Sequence, residues 1–283
     1  MITFYTMLKP FKGYIGVIQK NAIKSWTLLR PECEIIMFGN EEGVAEAASE
    51  FGAIHVPTVK RNEYGTALLS DVFSQAEKLA SNDMLCFINA DIILMNDFVR
   101  ALDRVKDIKG RYLMSGRRRN VDIKELLDFS DGWEDRLRAF VNVNGKLVHP
   151  NSMDFFVFHK GFWGEIPPFS IGRPRYDNWM IYTARYMGKR VIDATPVVMS
   201  VHQNHDYYHI PSGINNTWEG PEAEVNKDLY GRDKLFYTLS DANWIMTKKW
   251  LRPNINSSSL DHIIRKRLGI GPSIRSHFIS NKK

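Results

Sequence analysis

The sequence predicts an α/β fold in which helices flank a mostly parallel β-sheet. Two observations carry this prediction: short β-rich runs alternate with helical runs through the first half of the 283 residues, and their apolar residues follow the periodicities of strands and helices. This alternation is typical of parallel sheets covered on both faces. In such sheets, ligands bind beyond the carboxyl ends of the strands.

The predicted elements of the first half follow one another without a long interruption. They are a strand over 2–8, a helix over 13–29, a strand over 33–39, a helix over 41–52, a strand over 53–59, a helix over 66–80, a strand over 84–89 and a helix over 96–105. The strands are rich in β-branched and aromatic residues, and the helices place apolar residues three and four positions apart. Thr66 is the expected N-cap of the third helix.

The second half has a looser pattern. A helix is expected over 128–140, and Asn144 with Gly145 predicts a turn between two short strand-like pieces. A strand follows from Asp154, and a further helix begins at Asp177. Neither an internal repeat nor a linker divides the chain before about residue 220.

Composition excludes several classes of protein. Hydrophobic residues at 44% and charged residues at 25% are near globular averages, which excludes wholesale disorder and fibrous repeats. No secretory signal is visible, and no segment approaches the roughly 20 apolar residues that span a bilayer. Cys33 and Cys86 lie in apolar strand-like runs, which is typical of core thiols rather than of a disulfide or zinc site. The expected setting is the cytoplasm.

The net charge of +6 is unevenly distributed, because cations concentrate in the last forty residues. Such a tail suits an anionic partner, either a membrane surface or a phosphate-rich molecule, and a solvated terminus is the alternative. Nucleic acid is disfavoured because no recognised binding motif accompanies the charge.

A carboxylate interrupts the apolar run over 85–98, in the segment Asn89-Ala90-Asp91. A buried carboxylate without partners is costly, so Asp91 is expected at a strand end, facing a cleft and paired with a cation. The turns contain neither G-x-G-x-x-G nor G-x-x-x-x-G-K-[ST] to bind phosphate, and a divalent metal on a carboxylate is the natural substitute. A loop-capping role for Asp91 is the alternative.

The segment over 173–179 also carries candidate chemistry. Asp177 at a helix start suits either an N-cap or a general base that takes a proton from an acceptor hydroxyl. Trp179 suits either stacking on a sugar ring or a place in the core. Arg173 and Arg175 suit contacts to phosphate or a solvated loop.

A third group contains His202, His205, Asp206 and His209. Along a strand, His202 and His205 point to opposite faces, so a site that uses both requires a turn. An imidazole here suits a Mn²⁺-like ion, which accepts nitrogen as well as oxygen, and a hydrogen-bonded structural histidine is the alternative.

Weaker candidates complete the set. Asn62, Tyr64, Gly65 and Asp71 lie around a strand-to-helix junction, a usual place for base and ribose contacts. Arginines over 117–119 suit phosphate or a charged loop. Asp154 suits either a strand cap or the wall of an acceptor pocket.

In their order along the chain, these features resemble glycosyltransferases of the GT-A fold, most closely the family 2-like group, over roughly residues 1–210. "INADIIL" looks like the D-x-D segment, "YDNW" resembles the acidic motif on the acceptor side, and "SVHQNHDY" is similar to the histidine segment that completes the metal site in several such enzymes.

The resemblance implies a role for each matching residue. The implied nucleotide-sugar-binding residues are Thr6, Asn62, Tyr64, Thr66, Asp71, Asn89, Ala90, Asp91 and Arg173; Asp154 and Trp179 are implied in acceptor binding, Asp177 as catalytic base, and Asp91 with His202 as ligands of Mn²⁺ or Mg²⁺. Asn89 departs from the family, which usually has an acid there. An amide still hydrogen-bonds ribose but gives up charge, which implies weak metal binding or metal-independent activity.

The resemblance also implies a domain organisation and partners. A GT-A-like catalytic domain is expected over 1–220, with a nucleotide-sugar half over 1–115 and an acceptor half over 116–220. Residues past 220 match nothing in the family, and a basic, mostly helical extension is expected over 221–283. The implied partners are a nucleotide-sugar donor and a glycan or lipid-linked acceptor, as in polysaccharide biosynthesis. The charge of the tail, not the resemblance, predicts peripheral membrane contact, and packing of terminal helices on the core is the alternative. Asp177 favours inversion at the anomeric carbon, and retention stays open.

Two other functions stay open. One is a metal-dependent hydrolase or nucleotidyltransferase that uses His202, His205, Asp206 and Asp91. The other is an inactive carbohydrate-binding relative, for which Asn89 is the reason.

Overall fold

The computed structural model describes residues 1–108, 110–205, 218–231 and 236–255. The strands are β1 (Ile2–Met7), β2 (Glu34–Phe38), β3 (Ile54–Val56), β4 (Met84–Ile88), β5 (Ile92–Ile93), β6 (Tyr112–Ser115), β7 (Arg118–Val121), β8 (Lys146–Leu147), β9 (Phe155–His159), β10 (Arg190–Asp193), β11 (Ser200–Gln203), β12 (Trp244–Met246) and β13 (Leu251–Pro253). The helices are α1 (Gly13–Thr27), α2 (Val44–Phe51), α3 (Leu69–Leu79), α4 (Asn96–Val105), α5 (Trp133–Asn144), α6 (Tyr176–Tyr186) and α7 (Pro221–Tyr230), with a 3₁₀ turn at Leu239–Asp241.

Nine of the described strands form the main sheet, in the order β13-β12-β10-β6-β9-β4-β1-β2-β3. β1 pairs in parallel with β2 and β4, while β9 runs antiparallel between β4 and β6. β10 is parallel to both β6 and β12. The predicted fold class, an α/β fold with a mostly parallel sheet, is therefore confirmed, and the carboxyl ends of the parallel strands share one edge.

A second, four-stranded sheet lies beyond this edge, in the order β5-β11-β7-β8. β5 follows β4 after three residues and pairs antiparallel with β11, so that Ile92 is opposite His202. This pairing brings the chain around residue 202 back to the end of β4.

The core lies on both faces of the main sheet. Successive residues of β1 point to opposite faces, as the strand period of two requires. Phe4 packs with Trp26 of α1, at 5.7 Å between ring centroids, while Tyr5 packs with Phe73 of α3 at 5.2 Å. The helices of the first half therefore cover both faces of the sheet, as alternation along the chain predicted.

Two local predictions were wrong. Asn144 and Gly145 do not connect two strands, because α5 continues through Asn144 and the Gly145 N–H bonds to the Val141 carbonyl at 2.8 Å. Thr66 does not cap α3, which begins at Leu69 and has no side-chain cap at Leu68. Asn-Gly and Thr are local signals for a turn and for a helix N-cap. They do not report where the neighbouring helix ends, as for α5, or begins, as for α3.

The residues after 220 that the structure describes include α7 and the β12–β13 hairpin, which extends the main sheet. The basic segment over 256–283 lies outside the described residues, as do Asp206 and His209. Among the described residues, no helix combines the length and apolar character that crossing a bilayer demands.

Candidate active site

A cleft of about 860 Å³ opens at the carboxyl ends of β1 and β4. This volume is typical of small-molecule sites, and the position is where parallel sheets bind ligands. Of the site residues that the resemblance implied, those that line the cleft are Thr6, Thr66, Asn89, Ala90, Asp91, Asp154, Arg173, Asp177 and His202. Of the further candidates from the sequence, Gly65, Arg118, Arg175 and His205 also line it. The cleft therefore joins the strand-end segment at 89–91 to the start of α6.

Asp91 and two histidines form a compact group in this cleft. Asp91 Oδ2 lies 3.5 Å from Nε2 of His202 and 3.2 Å from Nε2 of His205. One ligand atom from each residue lies within 4.8 Å of the others. The three side chains can therefore coordinate one metal ion.

The strand pairing explains how residues so distant in sequence meet. β11 pairs with β5 directly after Asp91, and the Gln203 N–H bonds to the Asp91 carbonyl at 3.2 Å. β11 ends at Gln203, so His205 is no longer held to the alternating directions of a strand. Both imidazoles reach Asp91 because the strand ends between them, without a turn at residues 204–205.

Burial and charge give this group its electrostatic character. The side chain of Asp91 is 19% exposed, and those of His202 and His205 are 8% and 7% exposed. Burial alone would raise the pKa of Asp91, but the two imidazoles hold that pKa well below its usual range. Asp91 Oδ1 and His202 Nδ1 are buried and have no hydrogen-bond partner among the described residues.

This donor set fits a divalent metal. Two imidazole nitrogens and a carboxylate suit Mn²⁺ and other transition ions better than they suit Mg²⁺ or Ca²⁺, which prefer oxygen ligands alone. The unpartnered Asp91 Oδ1 leaves lone pairs that a cation would satisfy. His205 was not among the metal ligands implied by the resemblance.

Asn89 points away from this group. Its side-chain amide donates to Asp154 Oδ1 at 2.7 Å, and its backbone N–H donates to the Asp154 carbonyl at 2.9 Å. Asp154 in turn forms an ion pair with Arg118 at 3.0 Å. The amide at position 89 thus anchors the segment that carries Asp91 to the start of β9.

Asp177 lies in the first turn of α6 and also lines the cleft. Burial raises the pKa of Asp177 to about 7; the Asn178 N–H, which donates to Oδ1 at 2.8 Å, opposes this increase, and the nearby charge of Asp154 adds to it. A carboxyl group with such a pKa can accept a proton near neutral pH.

Four of the site residues that the resemblance implied do not line the cleft. Trp179 is buried in the core, where its ring lies 5.6 Å from Trp163, and Tyr64 is 54% exposed. Asn62 organises its own turn by accepting from the backbone N–H groups of residues 64 and 66. Asp71 accepts from the Lys60 N–H and the Gln75 amide, a structural role at the start of α3.

Sequence reasoning missed Lys9, which also lines the cleft. Its backbone N–H and carbonyl are both bonded by the Gln19 side chain, at 2.8 and 2.9 Å. Burial lowers the pKa of Lys9, while the charge of Asp91 opposes that decrease. The signal was present, because Lys9 follows the strand β1 just as Asp91 follows β4.

No protein-family model matches this sequence, and no curated protein matches it. Solved structures do match its fold. One is the mannosyltransferase PcManGT from Pyrobaculum calidifontis in complex with GDP-Man and Mn²⁺, with 14% identity, a TM-score of 0.46, and coverage of 71% of this chain and 56% of that chain. Another is glucosyl-3-phosphoglycerate synthase from Mycobacterium tuberculosis in complex with Mn²⁺, UDP and phosphoglyceric acid, with 14% identity, a TM-score of 0.48, and coverage of 82% and 78%.

A third match is S. aureus TarS in complex with UDP-GlcNAc, with 10% identity, a TM-score of 0.33, and coverage of 45% of this chain and 37% of that chain. These are likenesses of fold. The present chain spans little more than half of the mannosyltransferase.

Proposed function

We propose that the protein is a glycosyltransferase that transfers a sugar from a nucleoside-diphosphate sugar to an acceptor hydroxyl. One observation carries the proposal: a single cleft is lined both by a group of three side chains that can hold a metal ion and by the carboxyl group of Asp177, whose pKa is raised to about 7. Departure of a diphosphate and deprotonation of a hydroxyl need these two kinds of chemistry.

Asp91, His202 and His205 would hold the divalent cation. When bound there, Mn²⁺ or Mg²⁺ would neutralise charge on the departing diphosphate. The nitrogen donors favour Mn²⁺ of these two.

Cationic side chains of the cleft would bind the remaining charge of the donor. Lys9 lies at the end of β1, close enough to Asp91 for the carboxylate to affect its pKa, and suits a phosphate oxygen. Arg173 also lines the cleft, where its Nε donates to Glu222 at 2.9 Å. Thr6 and Thr66, which also line the cleft, would contact the nucleotide sugar.

Asp177 would act as the general base. The acceptor oxygen attacks the anomeric carbon as the bond to the diphosphate breaks, and the hydroxyl proton passes to the Asp177 carboxylate. The positive character that develops at the sugar ring resembles that of glycoside hydrolysis. Attack on the face opposite the diphosphate would invert the anomeric centre.

Further parts of the proposal concern the setting of the reaction. The nucleotide-sugar half would occupy 1–115, the acceptor half 116–220, and the basic extension 221–283. The acceptor would be a glycan or a lipid-linked molecule, used in the cytoplasm, with the basic tail contacting the membrane face.

Isothermal titration of UDP and GDP, with and without Mn²⁺, tests the proposal. Wild type should bind at least one nucleotide more tightly with Mn²⁺, and Asp91→Asn should lose most of that gain. Asp103→Asn is the matched control, because Asp103 is an exposed carboxylate on α4. No nucleotide binding by wild type, or equal binding by Asp91→Asn, would contradict the proposal.

The second candidate, a metal-dependent hydrolase, draws on the Asp91, His202 and His205 group, since two histidines and a carboxylate also occur in hydrolytic metal sites. Turnover of p-nitrophenyl phosphate with Mn²⁺ and without any sugar donor would favour it. An inactive relative would be eliminated if UDP-sugar hydrolysis is observed and is lost in Asp177→Asn.

A further inference from the structure

Among the described residues, six cationic side chains line the cleft, and four of them have carboxylate partners. The paired residues are Arg61 with Glu41 at 2.7 Å, Arg118 with Asp154 at 3.0 Å, Arg173 with Glu222 at 2.9 Å, and Lys227 with Glu224 at 2.6 Å. Within the described residues, Lys9 and Arg175 have no ion pair and their side chains donate no hydrogen bond. The proposed function assigns Lys9 to a phosphate of the sugar donor. Of these two residues, Arg175 is therefore the one that still has no ligand.

Arg175 is held beside the proposed base. It immediately precedes α6, two residues before Asp177, and its charge lowers the pKa of that carboxyl group against the larger effect of burial. Its guanidinium carbon lies 4.5 Å from the centroid of Phe236 and 5.9 Å from that of Tyr230. Stacking covers a face of the guanidinium but leaves its N–H edges available to bind two oxygens of a carboxylate or a phosphate.

The backbone at Arg175 supports a use for this side chain. Its φ is 91°, the one positive φ at a non-glycine residue in the described part of the chain. A glycine would adopt this conformation without strain. Strained residues of this kind concentrate at ligand sites, where their neighbours hold the side chain in a particular direction.

We infer that the acceptor carries an anionic group, a phosphate or a carboxylate, which the guanidinium of Arg175 binds while Asp177 faces the attacking hydroxyl. The inference rests on the proposed function and names its acceptor class. Trp218 lines the same cleft with 51% of its surface exposed, and it offers an aromatic face for the uncharged part of the acceptor. Trp218 takes the role that the sequence had suggested for Trp179.

Binding of small probes tests this inference on the full chain with UDP and Mn²⁺ present. The probes are glycerol 3-phosphate, glycerate and glycerol, so that the phosphate, the carboxylate and the uncharged parent are compared. Wild type should bind one or both anions and should not bind glycerol. Arg175→Gln should weaken anion binding at least tenfold, and Arg175→Lys should recover only part of it, because a single ammonium lacks the planar pair of donors.

Arg190→Gln is the matched control, because Arg190 also stacks on an aromatic ring, that of Trp244 at 5.1 Å, but does not line the cleft. Arg175→Gly relieves the strained backbone and guards against a folding defect, and it should lose the anion while keeping its melting temperature. Equal anion binding by wild type and Arg175→Gln, or no anion binding by wild type, would overturn the inference.

The two proposals fail in different ways. If UDP binds in an Asp91-dependent manner and the anions do not bind through Arg175, the acceptor inference alone is wrong. If UDP does not bind, the proposed function is wrong and the acceptor inference is wrong with it.

Discussion

Two carboxylates of one cleft have pKa values that their surroundings move in opposite directions. The imidazoles of His202 and His205 keep Asp91 ionised, while burial and the charge of Asp154 raise the pKa of Asp177. Pairs of titratable groups separated in this way are a common sign of divided acid–base roles. Asp91 is suited to hold a cation and Asp177 to accept a proton.

Asp177→Asn should lower kcat by about 10²- to 10⁴-fold, the usual contribution of a general base. In wild type, the rate should rise with pH through about 7, because the base must be ionised to act and its pKa is raised to about 7. Initial rates with a UDP-sugar donor, measured from pH 5 to about 9, check both effects. A flat profile in wild type would contradict the assignment of the base.

Asp177 should also make the stability of the fold depend on pH. Whereas the rate rises with pH, stability should fall as pH rises. Because the pKa of Asp177 is higher in the folded protein than its ordinary value of 3.8, the folded state loses stability as pH rises between about 4 and about 7. Asn cannot ionise, so Asp177→Asn should be more stable than wild type at pH 8 by on the order of 4 kcal/mol and nearly equal to it at pH 4. Urea unfolding at the two pH values is the measurement, and a gain at pH 4 as large as that at pH 8 would point to a different cause.

At the scale of elements, short pairings place the site. The two-residue strand β5 holds β11 against the segment that follows β4, and the Gln203 amide donates to the Ile18 carbonyl of α1 at 2.9 Å. Gln203 also accepts from Asn21 at 2.9 Å. These buried hydrogen bonds tie α1 and β11 together, which fixes the position of the histidines next to Asp91.

The end of α5 provides an element-scale prediction. A Cβ added at Gly145 would lie 2.5 Å from the Val141 carbonyl oxygen, a backbone atom that cannot move aside cheaply. Gly145→Ala should therefore lower the free energy of unfolding by about 1–3 kcal/mol. Gly164→Ala is the control, since its Cβ would meet no atom within 4 Å, and it should change stability by less than about 0.5 kcal/mol. Equal unfolding midpoints in urea for the two variants would contradict this steric account.

At the scale of the whole molecule, the main sheet is a rigid support for a cleft built from distant segments. Residues from the end of β1, the end of β4, the start of α6 and the end of β11 meet at one edge of the sheet. Aromatic side chains pack both of its faces, so the edge has little freedom to change shape. A ligand that bridges these segments should stabilise the whole fold.

Thermal unfolding with UDP or GDP checks that expectation. At a nucleotide concentration about a hundred times its Kd, the folded state gains about 2.7 kcal/mol, which raises the melting temperature of a chain of this size by several degrees. Mn²⁺ should enlarge the shift in wild type, and His205→Gln should reduce that enlargement. Identical shifts with and without Mn²⁺ would indicate that nucleotide binding does not use the metal group.

The sequence by itself determined the α/β class and the position of Asp91. Both depend on local pattern, since strand and helix periodicities are visible within a few residues and a charge that follows a buried strand stands out. The same reasoning placed Asp177 at the start of a helix. The same pattern applies to Lys9, which follows β1 as Asp91 follows β4.

Only the tertiary structure decided which side chains share the site. His205 joins Asp91 because β11 pairs with β5 and then ends at Gln203, Asn89 turns to Asp154, and Trp179 belongs to the core. These outcomes depend on strand register and on packing between segments about a hundred residues apart. A periodicity reports the face of an element, but it does not report what that face meets, because the partner is set by long-range pairing.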